Sequence, residues 1–441
     1  MMHVKQSLTQ QIFNIAIPTT IENVLQTMVG FVDTLMVAQI GLVAVTGVNL
    51  ANTVLNVYLA VFLGIGIGTS SLVARKFGAG DIAGAQAVGQ QAILLSTGLS
   101  SVVGILTIVF GRPLLSMIGA TPATLSYAQP FLSWVGGLAI FMAGTTVLGS
   151  LLRAVGDAKT PMFTSLMANV INIILDLILV RGFGPIPALG VYGIIIGTIA
   201  ARVFSVGYLL LAVQQSRTAV KWRWSWRNRP ILAEIVQISL PAAGEKLVLR
   251  GGQVVYFSLI VAIGATTFAA HMIAGNIESF VYMPAYGLAT AAAVLIGQNV
   301  GAKNKKIVQR IAELTVGYGI LLLSLLGLVM FLTVPAMATW FTQDHVAIAQ
   351  IVTALRIDAF SQPGLAVTII IAGALQGMGD TKTPLWSTLI GMFGIRIIGV
   401  IVLGQWCDWG IAGIWIALGI DYDVRAIYLW LTWQKNSRNM V

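Results

Sequence analysis

The chain has 441 residues, of which 57% are hydrophobic and only 9% charged. Soluble domains carry about 25% charged residues, so the composition excludes an ordinary soluble fold and marks a polytopic membrane protein. The formal net charge of +10 does not signal a nucleic-acid partner, because its basic residues stand in short loops between apolar spans. The single Cys407 excludes an intramolecular disulfide and a thiolate metal cluster.

Apolar segments long enough to cross a bilayer recur twelve times, at 11–37, 48–74, 85–111, 126–152, 162–181, 189–212, 231–260, 268–297, 307–335, 349–377, 385–405 and 411–433. The first carries Pro18, Glu22, Gln26 and Asp33. Those residues and the lack of a small-residue cleavage site read it as a retained helix, not a signal peptide. At 100° per residue, the step from Glu22 to Asp33 returns to within about 20° of one helix face, with Gln26 on the same stripe. A carboxylate at membrane depth costs at least ~2.5–3.5 kcal/mol, so this helix is expected to line a polar interior. Pro18 removes a backbone hydrogen bond and leaves a place to bend.

The loops alternate in basic content. One set, with both termini, holds seventeen Lys and Arg residues, among them Arg75, Lys76, Arg153, Lys221 and Lys303; the other holds only Arg112 and Arg181. Both termini and the 214–230 linker are therefore expected in the cytoplasm. KWRWSWRNRP (221–230) in that linker reads as a membrane-interface anchor and not as a nucleic-acid patch. The chain also repeats itself at an offset of 223 residues: Pro18 matches Pro241, Glu22 matches Glu245, and LLRAVGDAKTP (151–161) matches ALQGMGDTKTP (374–384). The register slips by three near 182–188, so that Gly190 and Gly193 match Gly410 and Gly413. The fold class is thus all-α membrane protein, with twelve transmembrane helices in two six-helix bundles related by a pseudo-twofold axis along the membrane normal. The predicted units are residues 1–213 and 231–441, with 214–230 a basic cytoplasmic linker.

Asn172 and Asp176 lie four apart in the fifth span, and Thr198 and Arg202 four apart in the sixth. With Asp33 they form a set of hard oxygen donors suited to a proton or Na⁺, without a transition metal. The alternative is that Asp33 or Asp176 simply pairs with Arg202. The positions equivalent to Asp33, Asn172, Asp176 and Thr198 are Tyr256, Ile395, Gly399 and Leu418, so the constellation exists only in the first half. Architecture would be duplicated with the architecture, and a set that is not duplicated points to function. Glu245 either faces a cavity or forms an ion pair with its neighbours Lys246 and Arg250. His271 is either a hydrogen-bonded interior histidine or a proton relay. Asp358 reads as structural beside Arg356, and Asp421, Asp423 and Arg425 make the last span the least convincing. In GDAKTP and GDTKTP, Gly supplies a turn, Asp or Thr caps the next helix, and Pro opens it. No G-x-x-x-x-G-K-[ST] or H-E-x-x-H occurs, so neither ATP-driven transport from within the chain nor a zinc hydrolase is expected.

The duplicated halves, the Pro18-to-Asp33 helix, VARKFGAGD (73–81) with IGQNVGAKN (296–304), and LRAVGDAKTP (152–161) with LQGMGDTKTP (375–384) resemble the multidrug and toxic compound extrusion (MATE) transporters. The resemblance covers essentially the whole chain and is most like the DNA-damage-inducible F branch. It implies an N-lobe cation site at Asp33, Asn172, Asp176 and Thr198, and a bend at Pro18. Glu245 resembles the seventh-helix glutamate of the NorM-type branch, but that branch's tenth-helix aspartate falls near Leu365, which puts a C-lobe Na⁺ site in doubt. Arg202 disfavours a bare cation beside the N-lobe set, so H⁺ is favoured over Na⁺ as coupling ion; no cofactor is expected. Pro18, Glu22, Gln26, Arg202, Glu245 and His271 are candidate modulators. The expected protein is a non-enzymatic, monomeric secondary exporter of the inner membrane. It would be surrounded by membrane lipids and antiport lipophilic, cationic organic compounds, bound between the bundles, against H⁺ or Na⁺. A lipid or lipid-linked precursor flippase is the alternative.

Overall fold

The computed structural model describes residues 7–182, 187–216 and 229–438; Lys5 and most of the linker, including Lys221, Arg223 and Arg227, lie outside them. Among the described residues the chain is helical. Its helices are α1 Leu8–Ala38, α2 Leu42–Gly78, α3 Ile82–Met117, α4 Pro122–Gly136 with Ala139–Ala154, α5 Lys159–Arg181, α6 Val191–Gln215, α7 Arg229–Ile263, α8 Ala265–Gly301, α9 Lys305–Ala338, α10 His345–Met378, α11 Lys382–Trp406 and α12 Gly410–Arg438. They correspond one to one with the twelve spans read from the sequence. Ten are long and apolar enough to cross a membrane, and α4, bent by 49° between its two parts, makes an eleventh. The twelfth, α12, is one unbroken 29-residue helix despite Asp421, Asp423 and Arg425. It is a sound element because Asp421 is fully buried against Arg396 of α11, its charge neutralised.

The loops hold the helix starts by side-chain capping. Asp81 accepts from the Gly84 N–H at 2.8 Å, and that N–H, with Lys76 beside it, holds its carboxyl below the usual carboxylate range. Thr121 and Thr124 cap each other reciprocally ahead of α4, with Pro122 at the first helical position. In the two GD-x-KTP loops Asp157 and Asp380 each accept from a backbone N–H three residues on, Thr160 and Thr383, both at 3.0 Å. These motifs are helix-start devices, as their composition implies.

The internal repeat is present in the backbone. Leu42–Gly78 and Ala265–Gly301 start and end at the 223-residue offset. Gly156 at φ 92° recurs as Gly379 at φ 91°, and Gly190 at 56° recurs, after the slip, as Gly410 at 52°. Gly80 at φ 76° recurs as Lys303 at 55°, a side chain held where the other half uses glycine.

Packing divides the chain into two compact units, residues 21–243 and residues 1–20 with 244–441. The first is built around Phe62, Leu72, Leu132, Leu152 and Ile194, the second around Trp415, Ile260, Leu288 and Ile296, all essentially inaccessible. This division differs from the one placed at the linker: it falls inside α1 and α7, two residues after Pro18 and two after Pro241. The cause is close packing by small residues. Gly64 and Gly68 of α2 lie against Ala243 and Ser239 of α7, and Gly287 of α8 lies against Ala16 and Thr20 of α1. The first turns of each proline-containing helix thus belong to a different unit from the rest. Helix α1 continues through Pro18 as a single helix.

The left-handed positions make a direct test of backbone strain. No atom would obstruct a Cβ at Gly156, so Gly156→Ala carries only the conformational penalty, about 1 kcal/mol. Lys303→Gly relieves the same penalty and is expected to raise stability by a fraction of that amount. Thermal unfolding of the detergent-purified protein should shift down for the first variant and up for the second.

Candidate functional site

Within the unit of residues 21–243, the ends of α1 and α5 and the start of α6 meet. Asp33 lies five residues before the end of α1, Asp176 five before the end of α5, and Thr198 seven into α6. Helix α6 can approach α5 closely because Gly193 and Gly197, one turn apart, face it: Gly193 lies against the backbone of Leu179 and Val180, and Gly197 against the Asp176 carboxyl and the Asn172 amide. Asp176 is fully buried and accepts from Asn172 Nδ2 at 3.4 Å. The Asp33 and Asp176 carboxyls lie within hydrogen-bonding reach of each other, and the Arg202 guanidinium stands beside Asp33. Five buried polar atoms here have no partner: Asp33 Oδ1, Asn172 Oδ1, Asp176 Oδ1, Thr198 Oγ1 and Arg202 Nη1. Four of the five are oxygens. Two carboxyls against one guanidinium leave an uncompensated negative charge, which a proton or a monovalent cation would neutralise. The residues singled out in spans one, five and six are thus brought together.

The other named residues stand elsewhere. Glu22 is not part of this site: it forms a salt bridge with Arg153 at 2.9 Å, from the last turn of α4. Arg153, counted above as a loop base, is therefore an intrabundle partner, and the shared helix face of Glu22 and Asp33 does not make a shared site. Gln26 is exposed. In the second unit Glu245 repeats the Glu22 geometry: it bonds Lys246 at 3.1 Å and accepts from Gln376 Nε2 at 2.9 Å, while Arg250 turns to Gln253. Glu22–Arg153 and Glu245–Gln376 have the same 131-residue separation, so they are one contact copied with one partner changed. His271 is buried against the rings of Tyr256, Phe257 and Trp415 at 5.3–5.9 Å, and its Nδ1 has no partner.

Glu278, Asp358, Arg396 and Asp421, legible in the sequence as charges inside second-half spans, form a network whose pairings the sequence reading did not assign. Arg396 donates from Nη2 and Nε to Asp421 Oδ2 at 2.6 and 3.0 Å, Tyr422 donates to Glu278 at 3.3 Å, and Gln362 donates to Asp358 at 2.5 Å. Arg356, named above as the companion of Asp358, is exposed and lies over the Phe331 ring at 5.1 Å. Neighbours two apart point to different sides of a helix, and here the helix repeat overrides sequence proximity. The signal was present: charged residues inside spans eleven and twelve need partners, and here each supplies the other's.

Duplicated bundles of membrane-crossing helices, with an ionisable set inside one of them, define a polytopic transporter. The chain belongs to the MatE family, whose match covers residues 18–178 and 241–402. It is 26% identical to the uncharacterized transporter YisQ of Bacillus subtilis, over 97% of this chain and 94% of the relative. It is 27% identical to the probable multidrug resistance protein NorM of Thermotoga maritima, with the same coverage. Among solved structures, a crystal structure of MATE in complex with MaL6 superimposes with a TM-score of 0.93 at 22% identity, over 99% of this chain and 98% of that one, and so shares the fold.

If Glu22–Arg153 is a structural pair, its loss appears as stability. Both side chains are largely buried, at 11% and 17% exposure, so Arg153→Ala strands a carboxylate and is expected to cost about 3 kcal/mol. Arg153→Gln, which rebuilds the contact of the other half, should cost clearly less. Denaturation midpoints of the two variants against wild type make the comparison.

Proposed function

We propose that this chain is a secondary active exporter of lipophilic, cationic organic compounds, driven by protons that enter the Asp33–Asp176 pair. The observation that carries the reading is the pair itself: two carboxyls within hydrogen-bonding reach, in the interior of membrane-spanning helices, with one guanidinium beside them. A shared proton makes that arrangement neutral, and its loss makes it costly to keep dry. Asn172 orients Asp176, and Thr198, the neighbour of the Gly197 that lies against Asp176, carries a buried unpartnered hydroxyl oxygen. An ion bound there shifts the transport equilibrium only through its different affinity for the two conformations. The name of the Thermotoga maritima relative supports drug export, and nothing in the site favours a lipid headgroup.

The coupling ion has a second reading with its own support. Four unpartnered oxygens, on Asp33, Asn172, Asp176 and Thr198, are the donor type that Na⁺ takes. Arg202 weighs against it, because a fixed positive charge repels a bare cation more than it repels a proton held covalently on a carboxyl. The Asp33, Asn-x-x-x-Asp and threonine pattern supports the DNA-damage-inducible F branch. The distribution of basic residues, sixteen to two once Arg153 is set aside, supports an inner-membrane protein with both termini in the cytoplasm.

Everted vesicles carrying wild type or Asp33→Asn, loaded with a fluorescent lipophilic cation under a pH gradient or a Na⁺ gradient alone, separate these outcomes. Transport driven by the pH gradient alone, and reduced at least about tenfold in the variant, is expected. Transport that needs Na⁺ would replace the ion and keep the site. Gradient-driven transport undiminished in Asp33→Asn would remove the site.

A further inference from the structure

The second unit holds an ionisable cluster for which the exporter reading has no use so far. Glu278 lies thirteen residues into α8, Asp358 thirteen into α10, Asp421 eleven into α12, and Arg396 ten before the end of α11. At ~1.5 Å per residue they share one level, about 15–20 Å from the helix ends. All four are buried, at 5%, 1%, 0% and 8% exposure. Arg396 sits where α11 widens into π-turns over Ile390–Ile397, a distortion frequently found at functional sites. Its guanidinium is committed to Asp421 and stacked over Tyr422 and Tyr256, 5.2 and 5.9 Å from the ring centres.

That leaves Glu278 and Asp358, at one level on the closely packed helices α8 and α10, with only neutral hydrogen-bond donors: the Tyr422 hydroxyl for one and the Gln362 amide for the other. The groups facing them are Tyr256 from α7, Tyr282 from α8, Arg396 from α11 and Tyr422 from α12, with His271 and Asp421 beside Arg396. Three carboxyls therefore stand against one guanidinium in a water-poor interior. Three side chains at least nine-tenths buried also present unpartnered polar atoms within this cluster: Tyr256 Oη, Gln362 Oε1 and Asp421 Oδ1.

We propose that Glu278 and Asp358 form a second proton-binding site, one of the two carboxyls carrying a proton that is exchanged during transport. This rests on the carrier reading but not on Asp33. The cluster is not a relic of duplication: Tyr256 and Tyr422 stand at the positions equivalent to Asp33 and Arg202, while Glu278 and Asp358 match Leu55 and Val135. Each half thus carries its own acidic excess, assembled from different positions.

Two measurements test this. In the full-length Asp33→Asn/Asp176→Asn background, pH-dependent infrared difference spectra should retain a protonated-carboxyl C=O band that titrates. Adding Glu278→Gln should remove it, and adding Asp358→Asn should remove or shift it. Two variants, each checked for an unchanged melting profile, protect against one that fails to fold. A band identical with and without both substitutions, or one that never titrates, would overturn the proposal. In vesicles with Asp33 intact, each coupled proton multiplies the substrate ratio held by a one-unit pH gradient about tenfold. Glu278→Gln should lower that ratio by about tenfold while leaving transport proton-driven, and an unchanged ratio would again overturn the site. Loss of gradient dependence in wild type would instead defeat the exporter reading.

Discussion

A charged group inside hydrocarbon has no water to fall back on, and that constraint orders this molecule more than any other. Among the described residues, the carboxylates buried between its helices are either matched by a partner or stand in excess of the positive charge beside them. Glu22 is matched by Arg153, Glu245 by Lys246 and Gln376, and Asp421 by Arg396. Such pairs contribute little net stability, because desolvation offsets most of the attraction, yet losing one partner costs several kcal/mol. They hold specific helices together: α1 to α4, α7 to α10, α11 to α12. Against that background the unmatched carboxyls stand out by their charge balance, not by their mere presence in a span.

The duplication separates architecture from chemistry. Helix bounds, left-handed turns and the Glu22 and Glu245 contacts recur at one offset. These are solutions to a common problem of packing and capping, and each half needs them. Asp33, Asp176 and Arg202 do not recur, and neither do Glu278, Asp358 and Arg396. Selection for a fold preserves both copies of a contact, whereas an ion-handling group, once present in one half, is free to be lost or re-invented in the other.

How much of this was legible in the sequence depended on the range of the contact. Spans, loop caps and the repeat rest on local patterns, and they could be read off directly; so could the i,i+4 relation of Asn172 to Asp176. Asp33 was legible too, because an acid in an apolar span demands a reason. Pairings between distant helices were not. Glu22 and Asp33 share a helix face on paper, yet three turns separate them, and different helices pack against each level. Arg356 and Asp358 are neighbours in the chain and point apart in the helix. The unit boundary was hidden for a similar reason: a charged linker is visible in composition, whereas the glycines that seat the first turns of α7 on α2 are visible only once the helices are in place.

The two acidic excesses bear on how a small ion can drive a large change. Moving a two-state equilibrium from 1:99 to 99:1 takes about 5.5 kcal/mol of differential binding. Neutralising one carboxylate at membrane depth is worth ~2.5–3.5 kcal/mol on insertion scales, so a single site supplies roughly half. Widening one site does not close the gap, because a second carboxyl added to the same cluster repels the first and titrates with it. If both proposed clusters take up a proton, each with its own guanidinium and its own hydrogen-bond donors, their contributions to the equilibrium can add. That is the physical advantage of placing an acidic excess in each half while duplicating neither.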